Sequence, residues 1–218
     1  STEPRSLFII SAGRGLLAVA IVCVLVLGSG AVSMPIATVE ENAVRFAVIG
    51  DYGDDRDPGE ESVAALVRGA KPDFIITTGD NNYPRGEAST IDQNIGRHYH
   101  EFIAPYKGKF GGGSRENRFF PSLGNHDWGG SDSKSNDGAK PYLDWFELPG
   151  NERYYDFVRG PVHLFAIDSD PREPDGVTAD SKQAAWLRES LSVAREPWKV
   201  VYFHHAPYTS GSRHGPSE

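Results

Sequence analysis

Short apolar runs and segments of helical periodicity alternate along the chain from Val44 onward. Apolar runs bounded by turn residues are typical of buried strands, and apolar residues three or four positions apart are typical of helices that face a core. Helices between buried strands indicate an α/β domain of mixed sheets flanked by helices. The pattern predicts strands at 44–50, 73–79, 117–124 and 198–205, helices at 59–70, 90–106, 141–148 and 180–194, and a hairpin over 153–170 that turns at Arg159-Gly160-Pro161.

A different pattern precedes this domain. Residues 15–39 contain no charged side chain, and the segment before them, 1–14, contains two arginines. Roughly 20 apolar residues cross the hydrocarbon of a bilayer, and the small residues Ala31 and Ser33 also suit a signal-peptide cleavage site. We therefore expect a signal peptide or a transmembrane anchor at 15–39. The positive-inside rule then predicts that the domain, 44–218, lies outside the cytoplasm, secreted or membrane-anchored.

Composition excludes two classes of site. The net charge is −8 and no cluster of Lys or Arg occurs, which argues against a nucleic-acid surface, because phosphate backbones are bound by basic patches. Cys23 is the single cysteine, so the sequence contains neither an internal disulfide nor a cysteine-based zinc site. A ligand site must therefore be built from oxygen and imidazole donors.

Such donors follow four of the predicted strands, in the stretches "GDYG" (50–53), "GDNNYP" (79–84), "GNHDW" (124–128) and "FHHAPY" (203–208). In open α/β sheets, ligands bind beyond the carboxyl ends of the strands, so these side chains are expected to converge. Carboxylate, amide and imidazole ligands suit Mn, Fe or Zn. Two metals about 3.5 to 4 Å apart need a shared ligand, and a strand-end aspartate such as Asp80 can bridge them.

Tyr83 is the residue that turn chemistry does not explain. Gly, Asp, Asn and Pro favour turns for backbone reasons, but a phenol does not. A phenol with an ordinary pKa near 10 ionises readily only beside a strong Lewis acid. The tyrosine therefore points to trivalent iron.

Together these four stretches resemble the ordered motifs of the calcineurin-like metallophosphoesterase superfamily, and within it the purple acid phosphatases of the tartrate-resistant type. Most of the superfamily has a metal-binding His at the position of Gly53; the glycine here, together with Tyr83, is typical of the purple subgroup. The resemblance runs from about Val44 to the end of the sequence. It implies a layered sandwich of mixed β-sheets flanked by helices.

The resemblance also implies a set of metal ligands. Asp51 and Tyr83 would bind Fe³⁺, and Asp80 would bridge to a second ion, which is Fe²⁺, Zn²⁺ or Mn²⁺. Asn125 and one histidine would bind that second ion. His205 is preferred, because "HAPYTSGSRHGP" (205–216) matches the tartrate-resistant pattern, and His204 is the alternative register.

The implied reaction is hydrolysis of a phosphomonoester, small or carried on a protein, by attack of a metal-bound hydroxide. His126 would stabilise the phosphoryl oxygens or help to protonate the leaving group, and His214 is a second candidate for that proton. Two other functions remain open: a phosphodiesterase of the same superfamily, and a non-catalytic exported domain that keeps the fold but binds a partner.

One departure from the family pattern is visible. The final Gly-His-x-His motif, which gives each metal one more histidine, does not occur in the sequence. The resemblance therefore implies a domain that is incomplete at its C-terminus, and we expect this 218-residue chain to bind metals weakly and to turn over poorly.

The remaining conspicuous side chains are expected to have structural roles. Asp127 should orient His126 or the loop, Trp128 should pack that loop, and Asp168 should fix the loop after its strand. The other three histidines, which are expected to be solvated or satisfied in the core, are His98, His100 and His163.

Overall fold

The computed structural model describes residues 8–12, 43–129 and 138–208. The strands are β1 (Phe8–Ala12), β2 (Val44–Ile49), β3 (Phe74–Thr77), β4 (Phe119–Pro121), β5 (Tyr155–Arg159), β6 (Val162–Ala166) and β7 (Trp198–Tyr202). The α-helices are α1 (Glu60–Ala70), α2 (Arg97–Tyr99), α3 (Lys140–Trp145) and α4 (Lys182–Val193). The strands form two sheets, in the orders β1-β2-β3-β4 and β5-β6-β7.

Both sheets are mixed, which confirms the predicted fold class. Strands β2, β3 and β4 are parallel, whereas β1 is antiparallel to β2. In the second sheet β5 and β6 form the predicted antiparallel hairpin, and β7 is parallel to β6. Because β2, β3 and β4 run in one direction, the residues that follow them emerge at one edge.

The two sheets pack through aromatic side chains. The rings of Phe120 and Phe157 stack with their centroids 3.9 Å apart, which joins β4 to β5 across the interface. The phenols of Tyr142 and Tyr155 each donate a hydrogen bond of 2.7 Å to the carbonyl oxygen of Pro121. These buried tyrosines thus contribute apolar area and also satisfy a strand-end carbonyl.

Strand β1 is an element that the sequence pattern did not predict. It lies within residues 1–14, the segment with two arginines that precedes the uncharged run, and Phe8 pairs with Val48 of β2. Residues 15–39, with the expected signal peptide or anchor, lie outside the described residues. Among the residues that are described, no helix has the length and apolar content needed to span a membrane.

The helix predicted at 90–106 is confirmed over 92–102, but it is not a regular α-helix. The chain forms a π-helical turn at Asp92–Gly96, the short α2 and a 3₁₀ turn at His100–Phe102. Asp92 accepts hydrogen bonds from the Tyr106 phenol and the Lys109 amide, contacts that tie the start of the segment to the chain beyond it. Tertiary contacts of polar side chains here outweigh the helical periodicity.

Other elements also end earlier than predicted, β3 at Thr77 and β7 at Tyr202 among them. The strand expected at 117–124 is limited to β4, which ends at Pro121, a residue without an amide hydrogen for a longer ladder. The helix expected at 141–148 ends at Trp145, because Phe146 has an extended backbone.

Candidate metal centre

Asp51 and Asp80 follow β2 and β3 and lie side by side at the carboxyl edge of the first sheet. Both have left-handed backbones, with φ of 52° for Asp51 and 51° for Asp80. Such a conformation is uncommon for a residue with a side chain and is found mostly where the surrounding structure enforces it, often at functional sites. Asp51 is exposed, whereas Asp80 is buried.

Tyr83 joins the two carboxylates. Its phenol donates a hydrogen bond to Asp51 Oδ1 at 3.1 Å or to Asp80 Oδ2 at 3.0 Å. Burial, together with the two negative charges, raises the pKa of Tyr83 well above its ordinary value. The phenol is therefore protonated in this arrangement, and a strongly charged Lewis acid would be needed to ionise it.

His204 completes the cluster from the second sheet. Its Nε2 lies 3.4 Å from Asp80 Oδ2 and 3.1 Å from Asn125 Oδ1, while Nδ1 donates to the carbonyl oxygen of Thr78 at 2.8 Å. That last bond orients the ring and leaves Nε2 as the nitrogen that faces the carboxylates. Burial disfavours the charged imidazole, but the hydrogen bond and charge of Asp80 outweigh it and raise the pKa of His204 to about 9.

These donors fit a metal site. One ligand atom each from Asp51, Asp80 and His204 lies within 4.8 Å of the others. The Asn125 side-chain oxygen and the Tyr83 phenol adjoin the same atoms. The pKa of Asp80 is lowered because the hydrogen bond and charge of His204 overcome the penalty of burial. The Asp80 carboxylate is thus available in its ionised, ligating form, whereas burial raises the pKa of Asp51.

The histidine favoured from the sequence lies outside this group. His205 packs against Ser169 instead, with Nδ1 and Oγ 2.8 Å apart and the His205 amide donating to the same Oγ at 3.0 Å. The two rings lie 4.9 Å apart, centroid to centroid, but the ligand atoms that lie close together come from Asp51, Asp80 and His204, and not from His205. The geometry favours His204, the alternative register. His214 lies outside the described residues.

His126 borders the carboxylate pair from the loop after β4. Its amide donates to Asp80 Oδ1 at 2.8 Å, and its ring lies 4.3 Å from that of Tyr83, centroid to centroid. Nδ1 donates to the carbonyl oxygen of Pro84 at 2.6 Å, and Nε2 stands 3.9 Å from Asp80 Oδ2. The ring is thus held beside the cluster with Nε2 on the side of the carboxylates.

The amides of "GDNNYP" have structural roles. Asn81 is fully buried, and its Oδ1 accepts from Thr77 Oγ1 at 2.5 Å and from the Tyr52 phenol at 3.1 Å. Its Nδ2 donates to the Ser122 carbonyl at 2.7 Å and to Asp127 Oδ2 at 2.8 Å. This side chain therefore joins the end of β3 to the end of β4, which sets the separation of Asp80 from the Asn125 loop.

The second amide is held by the π-helical turn. Asn94 Nδ2 donates to Asn82 Oδ1 at 2.8 Å and to the Tyr83 carbonyl at 2.7 Å. A π-helical turn often marks a functional site, because it displaces a side chain from regular spacing. Here it directs Asn94 toward the backbone that carries the candidate tyrosine ligand.

Gly53 explains why this site lacks the superfamily's usual histidine. A Cβ built on Gly53 would lie 1.8 Å from the carbonyl oxygen of Asn81, so no side chain fits there. The Gly53 carbonyl also accepts the Tyr83 amide at 2.8 Å. The close approach of these two strand-end loops brings Tyr83 into the cluster and excludes a residue larger than glycine at position 53.

The loop residues Asp127, Trp128 and Asp168 have the structural contacts expected of them. Asp127 accepts from the amides of Asn81 and Gly124 at 3.1 and 2.9 Å, so it orients the loop and not the His126 ring. Burial raises its pKa to about 7. Trp128 Nε1 donates to Asp168 Oδ2 at 2.9 Å, which ties the loop after β4 to the end of β6.

The three histidines expected to be structural lie away from the cluster. His98 Nδ1 is 2.8 Å from Glu61, His100 Nδ1 is 3.0 Å from the carbonyl oxygen of Gly96, and His163 lies between two carboxylates. Arg172, in contrast, contacts the backbone of the Asn125 loop and was missed. It follows "HLFAID", so the strand-end argument applied to β6 would have pointed to this segment, but not to a contact with a residue 47 positions away.

Comparison with known proteins agrees with this architecture. The family model of the calcineurin-like phosphoesterases matches residues 44–218. The chain belongs to this family. Purple acid phosphatase 17 of Arabidopsis thaliana is 29% identical over 200 residues, covering 80% of this chain and 55% of that protein. Tartrate-resistant acid phosphatase type 5 of Homo sapiens is 26% identical over 200 residues, covering 80% of this chain and 59% of that protein.

A solved structure supports the fold alone. The purple acid phosphatase PPD1 from yellow lupin (Lupinus luteus) seeds superposes with a TM-score of 0.53 at 16% identity, covering 78% of this chain and 34% of that one. The present chain thus spans little more than half the length of the curated phosphoesterase relatives that it matches.

The Asn81 contacts generate a stability prediction. Asn81→Asp keeps the shape but removes both donors and places an oxygen against the buried Asp127 carboxylate. We expect the free energy of unfolding to fall by about 3 kcal/mol or more, as for other buried polar groups left unpaired. Urea denaturation of the metal-free protein would measure it.

Asn151→Asp is the matched control. Within the described part of the chain, Asn151 uses only its Oδ1, which accepts the amides of Arg153 and Tyr154 at 3.1 and 3.0 Å, so a carboxylate serves equally well there. Equal stability of the two variants would show that the Asn81 contacts do not hold the strand ends together.

Proposed function

We propose that the protein is a dinuclear metal-dependent acid phosphatase that hydrolyses phosphomonoesters. The observation that carries this proposal is the position of the Tyr83 phenol, within about 3 Å of two aspartates at the carboxyl edge of the sheet. We assign Asp51 and Tyr83 to Fe³⁺, Asp80 to both ions, and Asn125 with His204 to a divalent ion, Fe²⁺, Zn²⁺ or Mn²⁺.

The side chains and backbone of the cluster have separate roles in holding the two ions. When bound, the two ions would supply the Lewis acidity that polarises a phosphoester and acidifies water. The left-handed backbones of Asp51 and Asp80 hold their carboxylates close together before any ion arrives, so little reorganisation accompanies binding. The Thr78 carbonyl holds the His204 ring with Nε2 toward Asp80. On binding Fe³⁺, the Tyr83 phenol would lose its proton to solvent.

His126 has the position of a proton donor or of a hydrogen-bond donor to phosphate. Its Nδ1 is occupied by the Pro84 carbonyl, so the second nitrogen is the one available to a substrate at the cluster. The side chain is about one-third exposed, at 32%, which leaves room for a ligand beside it. General acid catalysis needs such a group within hydrogen-bond reach of the leaving oxygen.

The substrate and location are part of the same proposal. A cluster that combines Tyr83 with Gly53 favours the purple subgroup, and hence small phosphomonoesters or phosphoproteins, over diesters. The uncharged segment 15–39 after a basic flank supports export, with the domain outside the cytoplasm. The pairing of β1 with β2 counts against it, because cleavage or membrane insertion of 15–39 would separate these two strands. Protease accessibility of the domain in intact cells or spheroplasts tests the location; protection from the protease would contradict it.

The decisive experiment for the reaction uses Tyr83→Phe in the intact protein. We expect the iron-loaded wild-type protein to show a broad visible absorption band from tyrosinate, and the variant to lose it. Phosphatase activity toward an aryl phosphate should fall together with iron content. Tyr106→Phe is the control, because that phenol contacts Asp92 at 2.6 Å, away from the candidate ligands.

Each other outcome has a defined meaning. A colourless wild-type protein that binds Mn or Zn and cleaves a bis-aryl phosphate faster than a mono-aryl phosphate would identify a phosphodiesterase. A protein that binds no metal and hydrolyses neither ester would be a non-catalytic binding domain. Either result would overturn the proposal.

A second experiment separates the two histidine registers. We expect His204→Gln to weaken binding of the second metal by about 10-fold or more, because a ligand nitrogen is lost. His205→Gln should change it much less, since His205 contacts Ser169. Zn²⁺ titration of both variants by equilibrium dialysis measures the difference. A larger loss in His205→Gln would restore the register that the sequence resemblance favours.

A further inference from the structure

We propose that Arg172 is a positioning residue for the second metal, which it serves by clamping the backbone of the loop that carries Asn125. The inference rests on the proposed function. Arg172 Nη2 donates to the Asn125 carbonyl at 3.1 Å, and Nη1 donates to the Trp128 carbonyl at 3.0 Å. One guanidinium thus contacts both ends of the Asn125–Trp128 turn.

The guanidinium is itself fixed by a buried acid. Arg172 Nε and Nη2 donate to the two carboxylate oxygens of Asp170, each at 2.7 Å, and Asp170 is only 1% exposed. The pKa of Asp170 is lowered, because these bonds and the positive charge outweigh the penalty of burial. This bidentate pair sets the plane in which the other donors of the fork point.

Arginine is required by this geometry. The planar fork donates in one plane to a carboxylate on one side and to two carbonyls on the other. An ammonium has three donors on one atom at the end of a flexible stem, and it cannot reach all of these acceptors at once. A lysine at this position would keep the charge but would release part of the loop.

The same segment also contacts the histidine loop of the second sheet. Asp168 accepts the Trp128 indole, Ser169 holds His205, and Arg172 holds the Asn125 carbonyl. The chain after β6 therefore contacts both loops that supply ligands of the second ion. Among the described residues it contacts neither Asp51 nor Tyr83, the proposed ligands of the first ion. Loss of the Arg172 contacts should therefore weaken binding of the second ion more than binding of the first.

Arg172→Lys tests the inference through metal affinity. Zn²⁺ binding to the intact protein is measured by equilibrium dialysis with metal analysis. Relative to the wild-type protein, we expect the variant to bind one ion with unchanged affinity and the other about 10 to 100 times more weakly, the usual effect of removing a group that orients a ligand. Wild-type affinity for both ions in the folded variant would overturn the inference.

Arg153→Lys is the matched control. Arg153 makes a similar fork to Glu173 and Asp175, at 2.9 and 3.1 Å, but contacts no candidate ligand. Its substitution should change stability without changing Zn²⁺ affinity. If Arg172→Lys does not fold, Asp170→Asn is measured in its place, because it removes the charge that holds the guanidinium while leaving Arg172 present, and unchanged affinity in that variant would overturn the inference.

A metal-free readout separates this inference from the proposed function. Amide hydrogen exchange of residues 126–129 is compared in the chelator-treated proteins. Faster exchange in Arg172→Lys than in Arg153→Lys supports the clamp even if the wild-type protein binds no Zn²⁺, a result that would defeat the proposed function alone. Equal exchange rates would overturn the clamp whatever the metal content.

Discussion

The candidate centre depends on the buried contact between Asn81 and Asp127. Their hydrogen bonds, at 2.8 Å between side chains and 3.1 Å to the Asn81 amide, lock the loop after β3 to the loop after β4. Asp80 directly precedes Asn81, and Asn125 lies two residues before Asp127. Parallel pairing brings the strand ends to the same edge, and this buried contact holds the two loops together there. The polar network lies away from water, where satisfied hydrogen bonds are strong and unpaired groups are costly.

Assembly of the cluster opposes stability in two ways. Asp51 and Asp80 have left-handed backbones, and their carboxylates are brought together with one phenol between them. Conformations of this kind persist when surrounding contacts enforce them, and they concentrate at functional sites. Asn81, Asn94 and the Arg172 clamp provide such contacts. These contacts thus hold the ligands in position for metal binding at the expense of local stability, as expected of a preorganised metal centre.

Much of this arrangement was predictable from local sequence. The order of strands and helices follows from apolar spacing, and the strand-end positions of Asp51, Asp80 and Asn125 follow from that order. The choice between His204 and His205 did not, because both lie beyond the end of β7 in bends, where strand periodicity does not determine which side chain faces the site. Asn94 and Arg172 act across long sequence separations, and β1 lies before a long unassigned segment. The helix at 92–102 is also irregular, with π and 3₁₀ parts that its apolar spacing does not indicate.

The most direct measurement is a crystal structure of the metal-loaded intact protein with anomalous diffraction at the iron and zinc edges. The account predicts two anomalous peaks at the carboxyl edge of the first sheet. Asp80 should ligate both ions, Tyr83 the iron, and Asn125 with His204 the second ion. Metal bound elsewhere, or a Tyr83 phenol still hydrogen-bonded to Asp51 and Asp80 with no ion between them, would contradict it.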